Sequence, residues 1–138
     1  MRVSELMQPE VWQTFPEESL ADAAIRMRDH GVGSLVVVDG DDLLGIVTER
    51  DILRAMADGA PPHVSRVAAY MSSDPVVASL DTDVVTAIRM MVEHDVRHLP
   101  VVAAGQLKGM VSARDLLVVE ASAIAPGAPI PADVGVDG

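Results

Sequence analysis

Thr48 and Asp51, and again Ser112 and Asp115, place a hydroxyl three residues before a carboxylate, each time after a glycine-led apolar strand. The two segments are Gly45-Ile46-Val47-Thr48-Glu49-Arg50-Asp51 and Gly109-Met110-Val111-Ser112-Ala113-Arg114-Asp115. A hydroxyl at a helix start caps free backbone amides, and the same amides form an anion site that could receive phosphate. An acid just inside the helix either stabilises the positive end of the dipole or accepts two hydrogen bonds from a vicinal diol. Arg50 and Arg114, beside those acids, either reach a phosphate or stay solvated in the first turn. Arg97-His98 is the other charged feature, because arginine can grip phosphate through two parallel hydrogen bonds. Its alternative is a surface arginine and a strand-edge histidine. Ile46 and Met110 follow the motif glycines and either wall a flat ring or fill the core.

Other groupings do not support chemistry. His94 and His98 have the i, i+4 spacing of two helical zinc ligands, but a helix end and a strand start should separate them, so no metal site is expected. Asp39-Gly40-Asp41-Asp42 lacks the length and later glutamate of a calcium loop. Gly31-Val32-Gly33 has no third glycine, and a strand follows it, unlike a dinucleotide loop. The chain offers no convincing base or nucleophile, so no catalytic residue is assigned and the expectation is a binding protein, not an enzyme.

The elements that position these residues come in two copies. Val3 to Ala57 aligns without a gap on Val67 to Ala121 at an offset of 64, with 16 of 55 pairs identical, so fold and function must be read per copy. In the first copy, Val11–Thr14 reads as a short strand. Ser19 caps a helix whose Leu20, Ala23, Ala24 and Met27 make one apolar face, and Gly31 and Gly33 end it. Leu35–Val38 and Leu43–Val47 are strands joined by the Asp39-Gly40 turn, and Thr48 opens a helix to about Ala57. The second copy repeats this as a Pro75–Ala78 strand, a helix with Val84, Ala87, Ile88 and Met91 on one face, Leu99–Val102 and Leu107–Val111 strands, and a Ser112–Ala121 helix. The expected units are 1–60 and 61–121, followed by a Pro/Ala/Gly-rich tail over 122–138 that reads as disordered.

A tandem β-α-β-β-α unit closing on Gly-φ-φ-Thr/Ser-x-x-Asp, φ being apolar, resembles a cystathionine-β-synthase (CBS) domain pair, the Bateman module. Val3…Met7 and Val67…Met71 open the copies as in that family, and Val96-Arg97-His98-Leu99-Pro100-Val101-Val102 is similar to its second strand. The resemblance covers residues 3–121. It implies an α+β fold of two repeats packed with pseudo-twofold symmetry around two clefts. It also implies a regulatory module that takes an adenosine-containing effector (AMP, ADP, ATP or an S-adenosylmethionine-like compound), requires no cofactor and signals to a partner protein. On this resemblance Asp51 and Asp115 would hold ribose, Thr48, Ser112, Arg50, Arg114, Arg97 and His98 would face phosphate, and Ile46 and Met110 would wall adenine. It also implies a homodimer formed through helices, for which Leu116-Leu117-Val118-Val119 offers apolar positions. The alternative is a ligand-free dimerisation or protein-interaction module whose acids and hydroxyls only cap helices.

Composition bounds these readings. At 138 residues the chain is one body of two halves. With one Trp, one Tyr and one Phe, its core must be aliphatic and methionine-rich. A net charge of −11 argues against a nucleic-acid backbone or an anionic membrane as partner. There are no cysteines, no apolar run long enough to span a bilayer, and no signal-peptide pattern at the start, which together lead to a cytoplasmic expectation.

Overall fold

The structure, a computed structural model, describes residues 1–117. A 3-10 turn at Val3–Glu5 leads to β1 (Gln13–Thr14), α1 (Leu20–His30), β2 (Ser34–Asp39), β3 (Asp42–Thr48) and α2 (Glu49–Ala57). Then come α3 (Val67–Tyr70), β4 (Ser72–Ser73), α4 (Val84–His94), β5 (His98–Ala103) and β6 (Gln106–Ser112). Helical structure resumes at Ala113 and is described as far as Leu117. The expected end of that helix at Ala121, the apolar pair Val118-Val119 and the tail lie outside the described residues.

Local chemistry sets most of these boundaries. The Ser19 hydroxyl accepts the Asp22 N–H at 3.1 Å to start α1, and Gly31 ends it at φ 64°. The Asp83 carboxylate accepts the Val85 N–H at 3.1 Å to start α4, which ends on Asp95, a non-glycine residue at φ 52°. One side of α4 departs from its expected face: Ala87 and Met91 are buried, but Ile88 is exposed. Met90 packs on the core instead.

The hairpins β2–β3 and β5–β6 are superposable in register. Ser34 pairs with Thr48 and His98 with Ser112, and both hairpins shift register at the same place, between Val37 and Val38 and between Val101 and Val102. The expected strand at Pro75–Ala78 does not form as such; a single parallel bridge joins Ala78 to Val101. The reason is Pro100. In the first copy the Val36 N–H donates to the Trp12 carbonyl at 3.1 Å. Pro100 occupies the equivalent position and has no N–H to give.

The segment opening each copy packs on the other copy. Val3 is wholly buried in the core of the second repeat, with Ala87, Met91, Leu99, Val101, Val111 and Leu116. Val67 is likewise buried with Leu20, Ala23, Met27, Leu35, Val37, Val47 and Ala55 of the first. Behind Val3, Gln8 exchanges both backbone hydrogen bonds with Met110, at 2.8 and 2.9 Å. Behind Val67, β4 pairs antiparallel with β3, giving a four-stranded sheet ordered β1-β2-β3-β4 beside the two-stranded β5-β6 sheet. Val36 and Ile46 of one sheet meet Met110 of the other in a third, central cluster. Leu116, expected to be spare for association, is core; Leu117 is exposed.

Because Val3 plugs the second repeat from outside its own sequence copy, Val3→Ala should cost about 1.5–3 kcal/mol. It should lower one cooperative unfolding transition rather than split it in two. A fragment of residues 1–60, which lacks Val67 and β4, should not fold. Denaturation of Val3→Ala with separate transitions, or a dispersed NMR spectrum for the fragment, would contradict this.

Candidate functional site

A cleft of about 650 Å³ opens where the start of α2 faces the end of α4. Of the ten candidate residues, six line it: Ile46, Thr48, Arg50 and Asp51 from the first repeat, Arg97 and His98 from the second. Met110, Ser112, Arg114 and Asp115 do not; they sit on β6 and the helix after it. The sequence left open which acid the Arg97-His98 pair would serve. The tertiary structure puts it with Asp51.

Asp51 is 4% exposed and already works as a cap. Its Oδ2 accepts the Thr48 N–H at 2.9 Å and the Thr48 hydroxyl at 3.2 Å, while its own N–H donates to Thr48 Oγ1 at 3.4 Å. Oδ1 has only a long contact, from the Arg54 guanidinium at 3.4 Å. Capping and ligand binding are therefore compatible: one oxygen fixes the helix start, and the other is nearly uncommitted. Arg50, partly exposed, lines the cleft and also makes a contact that neither sequence alternative included. It bridges the repeats, donating to the Asp95 carbonyl at 2.9 Å with its carboxylate at 3.2 Å. The left-handed turn at Asp95 presents both oxygens to it.

His98 opens β5 and is half-buried. Burial pushes its imidazole below the usual histidine range, outweighing the Glu49 and Asp115 carboxylates that raise it; Arg97 and Arg50 lower it further. Gly33 makes room for this corner. A Cβ there would stand 3.0 Å from Glu49 Oε1 and 3.4 Å from His98 Nε2. Arg97 is exposed and has no ion-pair partner among the described residues.

Sequence reasoning missed the remaining lining: Glu49, Leu53 and Arg54 on α2, Ser72 to Val76, and His94 to Val96. Arg54 was findable as the i+3 partner of Asp51. The 72–76 segment was not, because only its crossing onto β3 brings it to this cleft. His94 and His98 both line the cleft, and among the described residues no three His, Asp or Glu side chains converge as a metal set.

The 64-residue offset shows how the twin position differs. Ser112 and Asp115 form the same cap, with the Ser112 N–H donating to Asp115 at 2.8 Å and the Asp115 N–H to Ser112 at 3.2 Å. Here, however, the other carboxylate oxygen receives the Gln8 side-chain amide at 3.4 Å. Trp12 and His30, counterparts of Val76 and His94, are stacked on each other, centroids 3.5 Å apart and planes within 10°. Gly33 and Ser34 stand where the first cleft has Arg97 and His98.

Comparison with known proteins agrees with the doubled architecture. The CBS domain family model matches twice, over residues 3–58 and 65–122. The chain is a member of the CBS domain family. It is similar to an uncharacterised 17.7 kDa protein of Acidianus ambivalens, 38% identical over 117 residues, covering 83% of this chain and 70% of that one. Its fold matches a protein with CBS domains from Burkholderia ambifaria at a TM-score of 0.86 and 29% identity, covering 93% of this chain and all of that one. It also matches a CBS domain pair solved with 5′-methylthioadenosine and S-adenosylmethionine at a TM-score of 0.81, covering 88% of this chain and 97% of that one. At 22% identity that last likeness concerns the fold alone.

The lowered His98 fixes the sign of a pH effect. A histidine whose pKa falls on folding favours the neutral form, so its contribution is complete above the unfolded value of about 6.5 and is lost as pH drops through the folded one. Melting temperature should therefore decline from about pH 7.5 to about pH 5.5, and His98→Asn should decline less over that window. Equal slopes for the two proteins would refute the assignment.

Proposed function

We propose that this CBS pair is a regulatory module that binds an adenosine-containing ligand in the Asp51–Arg97 cleft and passes the change on to a partner protein. The observation that carries the reading is the convergence of Thr48 and Asp51 from one repeat with Arg97 and His98 from the other in one cleft. Asp51 Oδ1 is the acceptor for ribose hydroxyls, and Arg97 receives a phosphate or carboxylate. Ile46, Pro75, Val76 and Val96 are apolar walls for the base. A CBS pair of the same fold carries adenosyl compounds, which supports the ligand class. Ligand contacts to both repeats would couple occupancy to their relative position, which is how such a module signals. At the twin position Asp115 already receives the Gln8 amide and Trp12 stacks on His30, so one ligand per chain is expected.

The protein-interaction reading has its own support in exposed apolar side chains. Leu53 and Met56 on α2 are 70% and 53% exposed, and Val85, Ile88 and Val92 recur along α4. These faces fit a twofold homodimer built through helices. No described helix is long and apolar enough to cross a membrane. Sedimentation at micromolar concentration should give twice the mass of one chain; a monomer only would overturn the dimer.

Calorimetry with AMP, ADP, ATP, S-adenosylmethionine and NAD tests the binding reading, with melting temperature as a second readout. Asp51→Asn keeps an acceptor for the Thr48 cap, and it should weaken binding by about one to two decades. Arg97→Ala should penalise AMP more than adenosine. Unchanged affinities in both variants would leave the acids as caps and hand the function to the interaction surface.

A further inference from the structure

We infer that the cleft discriminates against polyphosphates, and that Glu49 and Asp74 set this selectivity. The inference rests on the binding reading above and deepens it by narrowing the ligand class. The lining holds three arginines, Arg50, Arg54 and Arg97, against four carboxylates, Glu49, Asp51, Asp74 and Asp95. His98 is driven towards its neutral form by burial and adds little positive charge near neutral pH.

Pairing makes the deficit sharper than the tally. Arg50 is held by Asp95 at 3.2 Å, and the largely exposed Arg54 makes a long contact to Asp51 at 3.4 Å. Of the three lining arginines this leaves Arg97 without an ion-pair partner, in a cleft that also holds two carboxylates, Glu49 and Asp74, with no arginine or lysine partner among the described residues. The two acids come from different elements. Glu49 is the first residue of α2, and Asp74 follows β4 in the left-handed conformation at φ 49°. One arginine can neutralise a single phosphate or a carboxylate. Each further phosphate brings charge that meets Glu49, Asp74 and a protein already at −11. Freeing Arg50 for a second phosphate would leave Asp95 as a third unpaired carboxylate in the lining. The ligand that fits is an adenosyl compound with at most one phosphate, or one whose tail is zwitterionic.

The twin position separates the two acids, since Asp74 has an acidic counterpart in Glu10 and Glu49 has none. Ala113 replaces Glu49 there, so the first-turn carboxylate belongs to this cleft and not to the repeat as such. An acid placed against the wrong ligand is a common source of specificity, since unpaired like charge rejects a competitor that shape alone would admit.

The test is calorimetry of adenosine, AMP, S-adenosylmethionine and ATP against the full chain in EDTA, with the Glu49→Gln/Asp74→Asn double variant alongside. Wild type should bind AMP or S-adenosylmethionine at least about tenfold tighter than ATP, and the variant should raise the ATP-to-AMP affinity ratio by roughly tenfold. Raising salt should narrow the wild-type gap, because like-charge repulsion is screened. ATP binding as tightly as AMP in wild type, or an unchanged ratio in the variant, overturns the selectivity while leaving the binding reading intact. If none of the four compounds binds at millimolar concentration, the binding reading falls first and this inference with it.

Discussion

The structure depends on two crossings of the chain over two glycines. Residues leading into Gln8 run across Gly109, and residues leading into Ser72 run across Gly45. A Cβ on Gly109 would come within 2.8 Å of the Gln8 carbonyl oxygen, and one on Gly45 would collide with the Ser72 carbonyl. Each crossing delivers a fully buried valine, Val3 or Val67, to the opposite repeat. Neither repeat therefore owns a complete core. This is the physical reason the two copies make one cooperative body, since a unit of this size is marginal even when its core is whole.

The same crossings build the cleft. Once β4 is fixed on β3, Ser72 to Val76 must pass the start of α2, and α4 with the Arg97-His98 corner follows behind. The Arg50–Asp95 contact then ties the two repeats at the cleft mouth. A ligand seated between them would press on that contact, and differential contact with two arrangements is what couples occupancy to a change of shape. The capping chemistry is the fixed part of the site. Thr48 and Asp51 satisfy one another at the helix start, so the acid is held in place before any ligand arrives and pays little ordering entropy on binding.

Duplication created two such sites, and substitution has made them unlike. The caps at Asp51 and Asp115 keep nearly the same hydrogen bonds. What differs is everything that faces them: Val76 against Trp12, Ser72 against Gln8, Arg97-His98 against Gly33-Ser34. The Gln8 amide answers Asp115 from within the chain, while the Asp51 cleft, with Ser72 in place of Gln8, stays open to about 650 Å³. The conserved part of the repeat is therefore helix initiation, and the variable part decides what the acid meets.

The amino-acid sequence by itself determined the repeat, its offset, the hairpins and the caps, because these rest on local spacing. Period-2 and period-3.6 apolar patterns, an Asp-Gly turn and a hydroxyl before a helix act within a few residues of one another. Short-range reasoning erred where a distant partner decides. Pro75–Ala78 has strand composition, yet Pro100 on the neighbouring strand withholds the donor it needs. Ile88 belongs to an apolar pattern, yet no neighbour covers it. The sequence named six of the residues that line the cleft but could not say that Arg97 and His98 share a cleft with Asp51. Only the tertiary structure decided that, because the choice depends on which repeat each opening segment crosses to, and two copies with the same local pattern give no local signal of it.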